Sequence, residues 1–215
     1  MKPMRILIAD DHELFRRGVA AELTQVPGWV VAAEATNGRD AVALAASLKP
    51  DIVVLDLTMP ELNGLEAARQ IILADPSARI LILTAHESEQ LVREVLSAGA
   101  QGYVLKSDAG RTLVTALQAL LEGGSFFTSN VARMVLDGYL RSDSRDAVPA
   151  QTLSAREREI VQLLAEGNSN KDIAKALNIS VKTAETHRSN VMRKMGFDSL
   201  AELVRYAIRN NIIEP

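Results

Sequence analysis

The sequence has no cysteine and no long hydrophobic run, and each absence excludes a class of protein. Without cysteine among its 215 residues, the chain can form neither disulfides nor thiolate metal sites. No segment approaches the roughly 18 apolar residues of a membrane span. The apolar run at residues 6–9 is too short for a signal peptide. Since 47% of the residues are hydrophobic, we expect a packed, soluble, cytoplasmic protein without membrane contact.

Charge is spread unevenly along the chain, whose formal net charge is −3. Residues 1–130 contain 11 basic and 16 acidic residues, whereas residues 151–215 contain 10 basic and 8 acidic ones. This difference predicts two modules with different partners. The polar and aperiodic stretch 141–152 is typical of a linker. We therefore divide the chain into a first domain, 1–125, a linker with a possible short helix, 126–151, and a second domain, 152–215.

The first domain alternates short apolar runs with segments of helical spacing. The runs predict β-strands at 5–10, 29–35, 51–56, 79–85 and 102–106. The helical spacing predicts α-helices at 13–25, 38–47, 87–98 and 111–122. Nearly continuous apolar strands are typical of a sheet that is covered on both faces. The order therefore predicts an α/β fold with a doubly wound, parallel, five-stranded sheet.

Polar side chains follow four of the predicted strands, at the edge of such a sheet where functional groups collect. They are Asp10 and Asp11, Asp56, Thr84 and Lys106. Taken singly, each has an ordinary explanation. The first two acids could cap a helix, Thr84 could be a plain strand residue, and Lys106 could be solvated. Their coincidence at matching strand ends favours a functional site.

Three carboxylates this close together would repel one another unless a cation lay between them. Oxygen ligands with room for water suit Mg²⁺. A metal beside Asp56, together with the ammonium group of Lys106, would neutralise charge on a transferring phosphoryl group. A carboxylate can act as the nucleophile, and Thr84 could bond a phosphoryl oxygen. The cluster therefore predicts transfer of a phosphoryl group to Asp56.

The motifs DD (10–11), DLTMPELNG (56–64), TA (84–85) and GYVLK (102–106) resemble those of the receiver domain of two-component response regulators. The resemblance implies a flavodoxin-like fold and phosphorylation of Asp56 by a sensor histidine kinase. It implies no enzymatic activity beyond accepting the phosphoryl group. It also implies that Asp11 and Asp56 bind Mg²⁺, that Asp10 supports the ion partly through water, and that the Thr58 backbone carbonyl is a further ligand. In the same way, it implies that Lys106 holds the phosphoryl group and that Thr84 and Tyr103 form a switch pair.

The second domain reads as four helices with a tight turn between the middle two. A capping box at Ser154 and Glu157 begins the first helix, and residues 170–177 predict a short second one. Ser180 caps a third helix at residues 181–195. This is an all-α, helix-turn-helix arrangement.

One face of the helix at 181–195 is polar and lacks acids, although the whole chain is acidic. It carries side chains able to reach phosphates or base edges: Lys182, Thr183, Thr186, His187, Asn190, Arg193 and Lys194. A solvated polar face is the ordinary alternative. The absence of acids and the preceding tight turn favour contact with double-stranded DNA.

The run LSAREREIVQLLAEGNSNKDIAKALNISVKTAETHRSNVMRKMG resembles the LuxR-type helix-turn-helix. The whole chain therefore resembles a response regulator of the NarL/FixJ class. The resemblance implies that Lys182, Thr183, Thr186 and Asn190 reach toward bases, while His187, Arg193 and Lys194 contact mainly the DNA backbone. It also implies that the last helix, from Leu200, pairs with a second copy in a homodimer. Covering its own domain is the alternative role for that helix.

We therefore expect a phosphorylation-activated transcription regulator, in which the unphosphorylated receiver restrains the DNA-binding domain or its dimer helix. Phosphate on Asp56 would draw Thr84 inward, and Tyr103 would follow. This would shift a two-state equilibrium toward a homodimer that binds DNA. Two alternatives stay open. One is an aspartyl-phosphate hydrolase, although no substrate-enclosing cap is evident; the other is a constitutive DNA binder whose receiver mediates protein contacts.

Overall fold

The structure is a computed structural model that describes residues 3–142 and 153–214, with residues 136–142 described by their backbone alone. The predicted linker sequence at 141–152 therefore lies mostly outside the described residues. The limits drawn between the two domains stay a prediction.

Among the described residues, six parallel strands form one sheet. They are β1 (Met4–Ala9), β2 (Trp29–Ala35), β3 (Ile52–Leu55), β4 (Ile80–Thr84), β5 (Gly102–Leu105) and β6 (Phe126–Phe127), in the spatial order β2-β1-β3-β4-β5-β6. The five predicted strands are confirmed, but the predicted count of five is one too low. The missed strand, β6, has only two residues, which is too short to show an alternating pattern.

Helices alternate with the strands and cover both faces of the sheet. They are α1 (Glu13–Thr24), α2 (Gly38–Leu48), α3 (Gly64–Ala74), α4 (Glu89–Ser97), α5 (Ala109–Leu121) and α6 (Ser129–Ser142). Neighbouring strand residues enter separate cores: Leu7 packs in the core that includes α2, α3 and α4, and Ile6 in the core that includes α1 and α5. This alternation is the doubly wound arrangement that the sequence predicts. The helix expected within residues 126–151 is α6, and its Val131 is buried in the first core.

The second domain is all-α, as predicted, with α7 (Ala155–Ala165), α8 (Asn170–Ala176), α9 (Val181–Met195) and α10 (Leu200–Arg209). The predicted capping box at the start of α7 is formed, and the side chain of Ser180 accepts a hydrogen bond from the Thr183 amide at 3.0 Å. Leu203 and Ala207 bury one side of α10 in this domain's own core. None of the helices in the described part of the chain is both long and apolar enough to cross a lipid bilayer.

Candidate functional site

Three acidic side chains meet where β1 and β3 end. One carboxylate oxygen from each of Asp10, Asp11 and Asp56, and a ring nitrogen of His12, lie within 4.8 Å of one another. Asp10 and Asp56 are buried, whereas Asp11 faces solvent. The three acids that the sequence places at strand ends are therefore brought together, with one side of the cluster open.

Lys106, at the end of β5, lies between two of these acids. Its Nζ is 2.8 Å from Asp10 Oδ2 and 2.8 Å from Asp56 Oδ2, and it lies 4.8 Å from the ring centroid of Phe15. Burial opposes the charged form of Lys106, but the carboxylates of Asp56 and Asp10 outweigh it, so the pKa of Lys106 is raised. The ammonium group is therefore held charged beside Asp56.

The carboxyl group of Asp56 is only 2% exposed. Burial raises its pKa from 3.8 to about 7, although the charge and hydrogen bond of Lys106 act in the opposite direction. Its second oxygen, Oδ1, is buried and has no hydrogen-bond partner among the described residues. A buried carboxylate oxygen without a partner is unfavourable, so a cation or a covalently bound group at this position would relieve it.

The residues present fit a magnesium ion. The carboxylates of Asp10, Asp11 and Asp56 supply oxygen ligands, which Mg²⁺ prefers, and the open side next to Asp11 leaves room for water. His12 Nδ1 lies 3.0 Å from Asp11 Oδ1. The histidine is therefore placed as a neighbour of the carboxylates, in keeping with the preference of Mg²⁺ for oxygen.

The loop after Asp56 returns tightly to the sheet at Gly64. The amide of Gly64 donates a hydrogen bond to the Leu57 carbonyl at 2.8 Å. A Cβ atom at Gly64 would overlap the backbone carbonyl of Asp56, so this position needs glycine. Asn63 then caps α3 by accepting a hydrogen bond from the Glu66 amide at 3.0 Å. The glycine and the cap fix the backbone that carries Asp56.

Thr84 and Tyr103 both contact the backbone of His86. Thr84 Oγ1 accepts a hydrogen bond from the His86 amide at 3.1 Å, and the Tyr103 hydroxyl donates one to the His86 carbonyl at 2.6 Å. Both side chains are fully buried. Burial, with added repulsion from Glu87, raises the pKa of Tyr103. Since Tyr103 already lies inside, the inward swing expected from the sequence is not available from this conformation.

The second domain contacts the loop that follows Asp56. The side-chain amide of Gln162, in α7, is fully buried; its Nε2 donates to the Met59 carbonyl at 2.7 Å and its Oε1 accepts from the Asn63 amide at 2.8 Å. Glu166 Oε1 accepts from the Glu61 amide at 3.0 Å. We call these three hydrogen bonds the α7 clamp.

A buried ion pair lies next to the α7 clamp. Glu66 is buried and pairs with Arg69 of its own helix and with Arg158 of α7, whose Nε is 3.2 Å from Glu66 Oε1. Burial raises the pKa of Glu66, and both arginines act against this. Arg158 also lies 3.5 Å from a carboxylate oxygen of Glu94 in α4. The second domain is therefore docked by charged as well as neutral contacts.

The end of the described chain also reaches the loops that follow β3 and β4. Thr58 Oγ1 donates a hydrogen bond to Glu214 Oε1 at 2.9 Å, and His86 Nε2 lies 3.8 Å from the same oxygen. Sequence reasoning missed the interdomain partners Gln162, Glu66, Arg158 and Glu214. Of these four residues, only Gln162 could have been noticed in the sequence, because it interrupts an apolar run in α7.

The polar face of α9 is mostly exposed in this arrangement. Solvent reaches Lys182, Thr183, Thr186, Asn190 and Arg193, while His187 and Lys194 are half-buried. Lys194 Nζ lies 2.6 Å from Glu157 Oε2 of α7. This pairing uses part of the charge that the sequence assigns to DNA contact.

Comparison with known proteins identifies the family to which the chain belongs. Residues 6–118 match the response regulator receiver domain, and residues 151–207 match the luxR family of bacterial regulatory proteins. The chain belongs to the response regulators that join a receiver domain to a LuxR-type helix-turn-helix domain. The predicted NarL/FixJ-class response regulator, a phosphorylation-dependent DNA-binding transcription regulator, is thereby confirmed.

Particular relatives cover nearly the whole chain. It is 38% identical to the transcriptional regulatory protein LiaR of Bacillus subtilis over 212 residues, which cover 98% of this chain and 99% of LiaR. It is 34% identical to DegU of Brevibacillus brevis over 225 residues, which cover 98% of this chain and 95% of DegU.

Solved structures show the same architecture. A LuxR-family response regulator from Aurantimonas is 37% identical, with a TM-score of 0.62, over 65% of this chain and 99% of its own. RcsB of Salmonella enterica serovar Typhimurium, bound to promoter DNA with the phosphomimetic BeF3⁻, is 29% identical, with a TM-score of 0.61, over 95% of this chain and 98% of its own.

Proposed function

We propose that Asp56 accepts a phosphoryl group from a sensor histidine kinase and that this modification frees the second domain to dimerise on DNA. One observation carries the proposal. The buried Asp56 carboxylate has one oxygen bonded to Lys106 at 2.8 Å and the other without a hydrogen-bond partner among the described residues. Such a group is held in place by Lys106, whose charge favours its ionised form against the effect of burial, and it has an oxygen left to react.

The chemistry is a displacement at phosphorus. The Asp56 carboxylate forms a P–O bond while the P–N bond of a phosphohistidine donor breaks, and the imidazole leaves with the electron pair. Lys106 favours the ionised form of Asp56 beforehand and then neutralises charge on a phosphoryl oxygen, and the Thr84 hydroxyl donates to another. Asp10, Asp11, Asp56 and the Thr58 carbonyl would hold Mg²⁺, which neutralises further phosphoryl charge when bound.

The exposed face of α9 supports the proposed DNA contact. Lys182, Thr183, Thr186 and Asn190 would reach toward bases in the major groove, and His187, Arg193 and Lys194 toward phosphates. Lys194 would exchange its bond with Glu157 for a phosphate or share the two. The structure of RcsB on promoter DNA supports this use of a LuxR-type domain. Leu200, 41% exposed at the start of α10, supports a homodimer through that helix.

The docked arrangement supports a restraint on domain position. The receiver holds α7 and the segment that follows α10, while the α9 face stays exposed. We infer that the unphosphorylated receiver prevents two copies from aligning on DNA rather than covering the DNA-reading side chains. Phosphorylation would then act by weakening the contacts between the second domain and the loop directly after Asp56.

DNA binding with and without a phosphodonor tests the proposal. DNA fragments would be selected from genomic DNA, and their binding would be measured for the wild type and Asp56→Ala, with and without acetyl phosphate. We expect the donor to tighten binding by the wild type only. Equal binding in all four samples would favour the constitutive binder. Sustained turnover of small phosphoesters would favour the hydrolase.

A further inference from the structure

Glu214 touches both loops that carry the proposed phosphorylation chemistry. Its carboxylate bonds Thr58, which lies two residues after Asp56, and faces His86, which lies two residues after Thr84. His86 Nε2 is buried and has no hydrogen-bond partner among the described residues. A single acidic side chain of the second domain thus contacts both the loop that follows Asp56 and the loop that follows Thr84.

A cavity of about 270 Å³ lies between the two domains, next to these contacts. It is lined by Asp11, Thr58, Met59, Pro60, Ala165, Glu166, Ile213 and Glu214. Of these described residues, three are acidic and none is basic. A phosphoryl group on Asp56 would carry about 1.5 to 2 negative charges in place of the single charge of the carboxylate, beside a wall that is already negative.

We propose that Glu214 couples phosphorylation of Asp56 to release of the second domain. With Asp56 unmodified, the Glu214 carboxylate accepts the Thr58 hydrogen bond and fastens the end of the chain to the receiver. With Asp56 phosphorylated, repulsion between two anions expels Glu214 and weakens docking. This inference rests on the proposed phosphoacceptor role of Asp56 and adds the residue that senses the new charge.

Gln162 of the α7 clamp has a different part in this scheme. Gln162 is neutral and bonds the backbone groups of Met59 and Asn63 and the side chain of Glu166, so added charge on Asp56 acts on it only indirectly. Gln162 therefore sets how tightly the domains dock, and Glu214 sets how strongly docking responds to phosphate. Glu214→Gln separates the two roles, because the amide can still accept the Thr58 hydrogen bond but carries no charge.

The experiment measures domain separation in the full chain. Because the protein has no cysteine, Ser47→Cys in α2 and Ser189→Cys in α9 provide two exposed positions for a fluorescence energy-transfer pair. The pair would be introduced into the wild type, Glu214→Gln and Glu185→Gln. Glu185→Gln removes one exposed acid from the same domain and serves as the matched control. Each protein would be treated with acetyl phosphate, and its aspartyl-phosphate content measured on the same sample.

We expect the wild type and Glu185→Gln to separate on phosphorylation. At equal aspartyl-phosphate content, the change in the open-to-closed ratio should be about tenfold smaller in Glu214→Gln, which corresponds to about 1.4 kcal/mol. If the domains of the Glu214→Gln variant separate as far as those of the wild type, this inference is overturned, but the phosphoacceptor role of Asp56 is unaffected. Phosphorylated wild type that stays closed would have the same effect. A wild type that gains no phosphate would overturn both proposals.

Discussion

Gln162 of the second domain donates a hydrogen bond to the backbone carbonyl of Met59 in the receiver, at 2.7 Å. The donor is fully buried, and the acceptor lies three residues after Asp56. The position of the DNA-binding domain is therefore tied to the loop that carries the proposed phosphoacceptor. Any movement of this loop that breaks the hydrogen bond should weaken the docking of the second domain on the receiver.

Gln162→Ala should open the protein without phosphate. The substitution removes both backbone bonds of the amide and leaves the Met59 carbonyl and the Asn63 amide to water, which favours separation of the domains. We expect DNA binding by unphosphorylated protein to tighten about tenfold, which corresponds to about 1.4 kcal/mol. Small-angle scattering would report the separation, with Gln25→Ala at an exposed position as the control. Unchanged dimensions and affinity would show that the clamp does not hold the domains.

Gly64→Ala should destabilise the receiver and impair the site. The added Cβ would overlap the Asp56 carbonyl, so the loop or the start of α3 must shift. Gly18→Ala in α1 is the matched control, because its Cβ would meet open space. We expect the control to gain about 0.5–1 kcal/mol in free energy of unfolding through helix propensity. Urea denaturation would compare the two, and equal stabilisation of both proteins would contradict the close approach at Gly64.

Stability should depend on pH through Asp56. Its pKa is raised from 3.8 to about 7 by burial, so the folded state favours the protonated form. Stability from this group is fully present below the unfolded pKa and is lost as pH rises through the folded pKa. Without divalent metal, the free energy of unfolding should fall by roughly 1 kcal/mol per pH unit between these two values. Asp56→Asn should remove this part of the slope, and parallel curves for the two proteins would refute it.

Lys194→Ala and Thr183→Ala should affect DNA binding differently. Loss of a phosphate contact weakens binding to all sequences and lowers the salt slope by about 1. Loss of a base contact relaxes preference at one position and costs about 1–3 kcal/mol there. Lys194→Ala should also lower stability, because Lys194 bonds Glu157. Binding titrations at several salt concentrations would separate the two effects. Identical behaviour of the two variants would mean that the assignment of Lys194 to phosphate contact and of Thr183 to base contact is wrong.

Strand ends and most helices were predictable because they follow from local patterns, although no range was predicted for α3. Short apolar runs located the five longer strands, and Asp56 was recognisable because a charge ended such a run. Gln162 and Met59 are 103 residues apart, and Thr58 and Glu214 are 156 apart. No local pattern encodes such contacts. The bond between Lys194 and Glu157 was missed for the same reason, since its partners lie on different helices.

The most direct test of the account is the site of phosphorylation. The full chain would be incubated with acetyl phosphate and Mg²⁺, and intact-mass and peptide analysis would locate any phosphoryl group in the wild type and in Asp56→Asn. We predict one phosphoryl group on Asp56 in the wild type and none in the variant. An unmodified wild type, or a variant that is labelled equally well, would contradict the account.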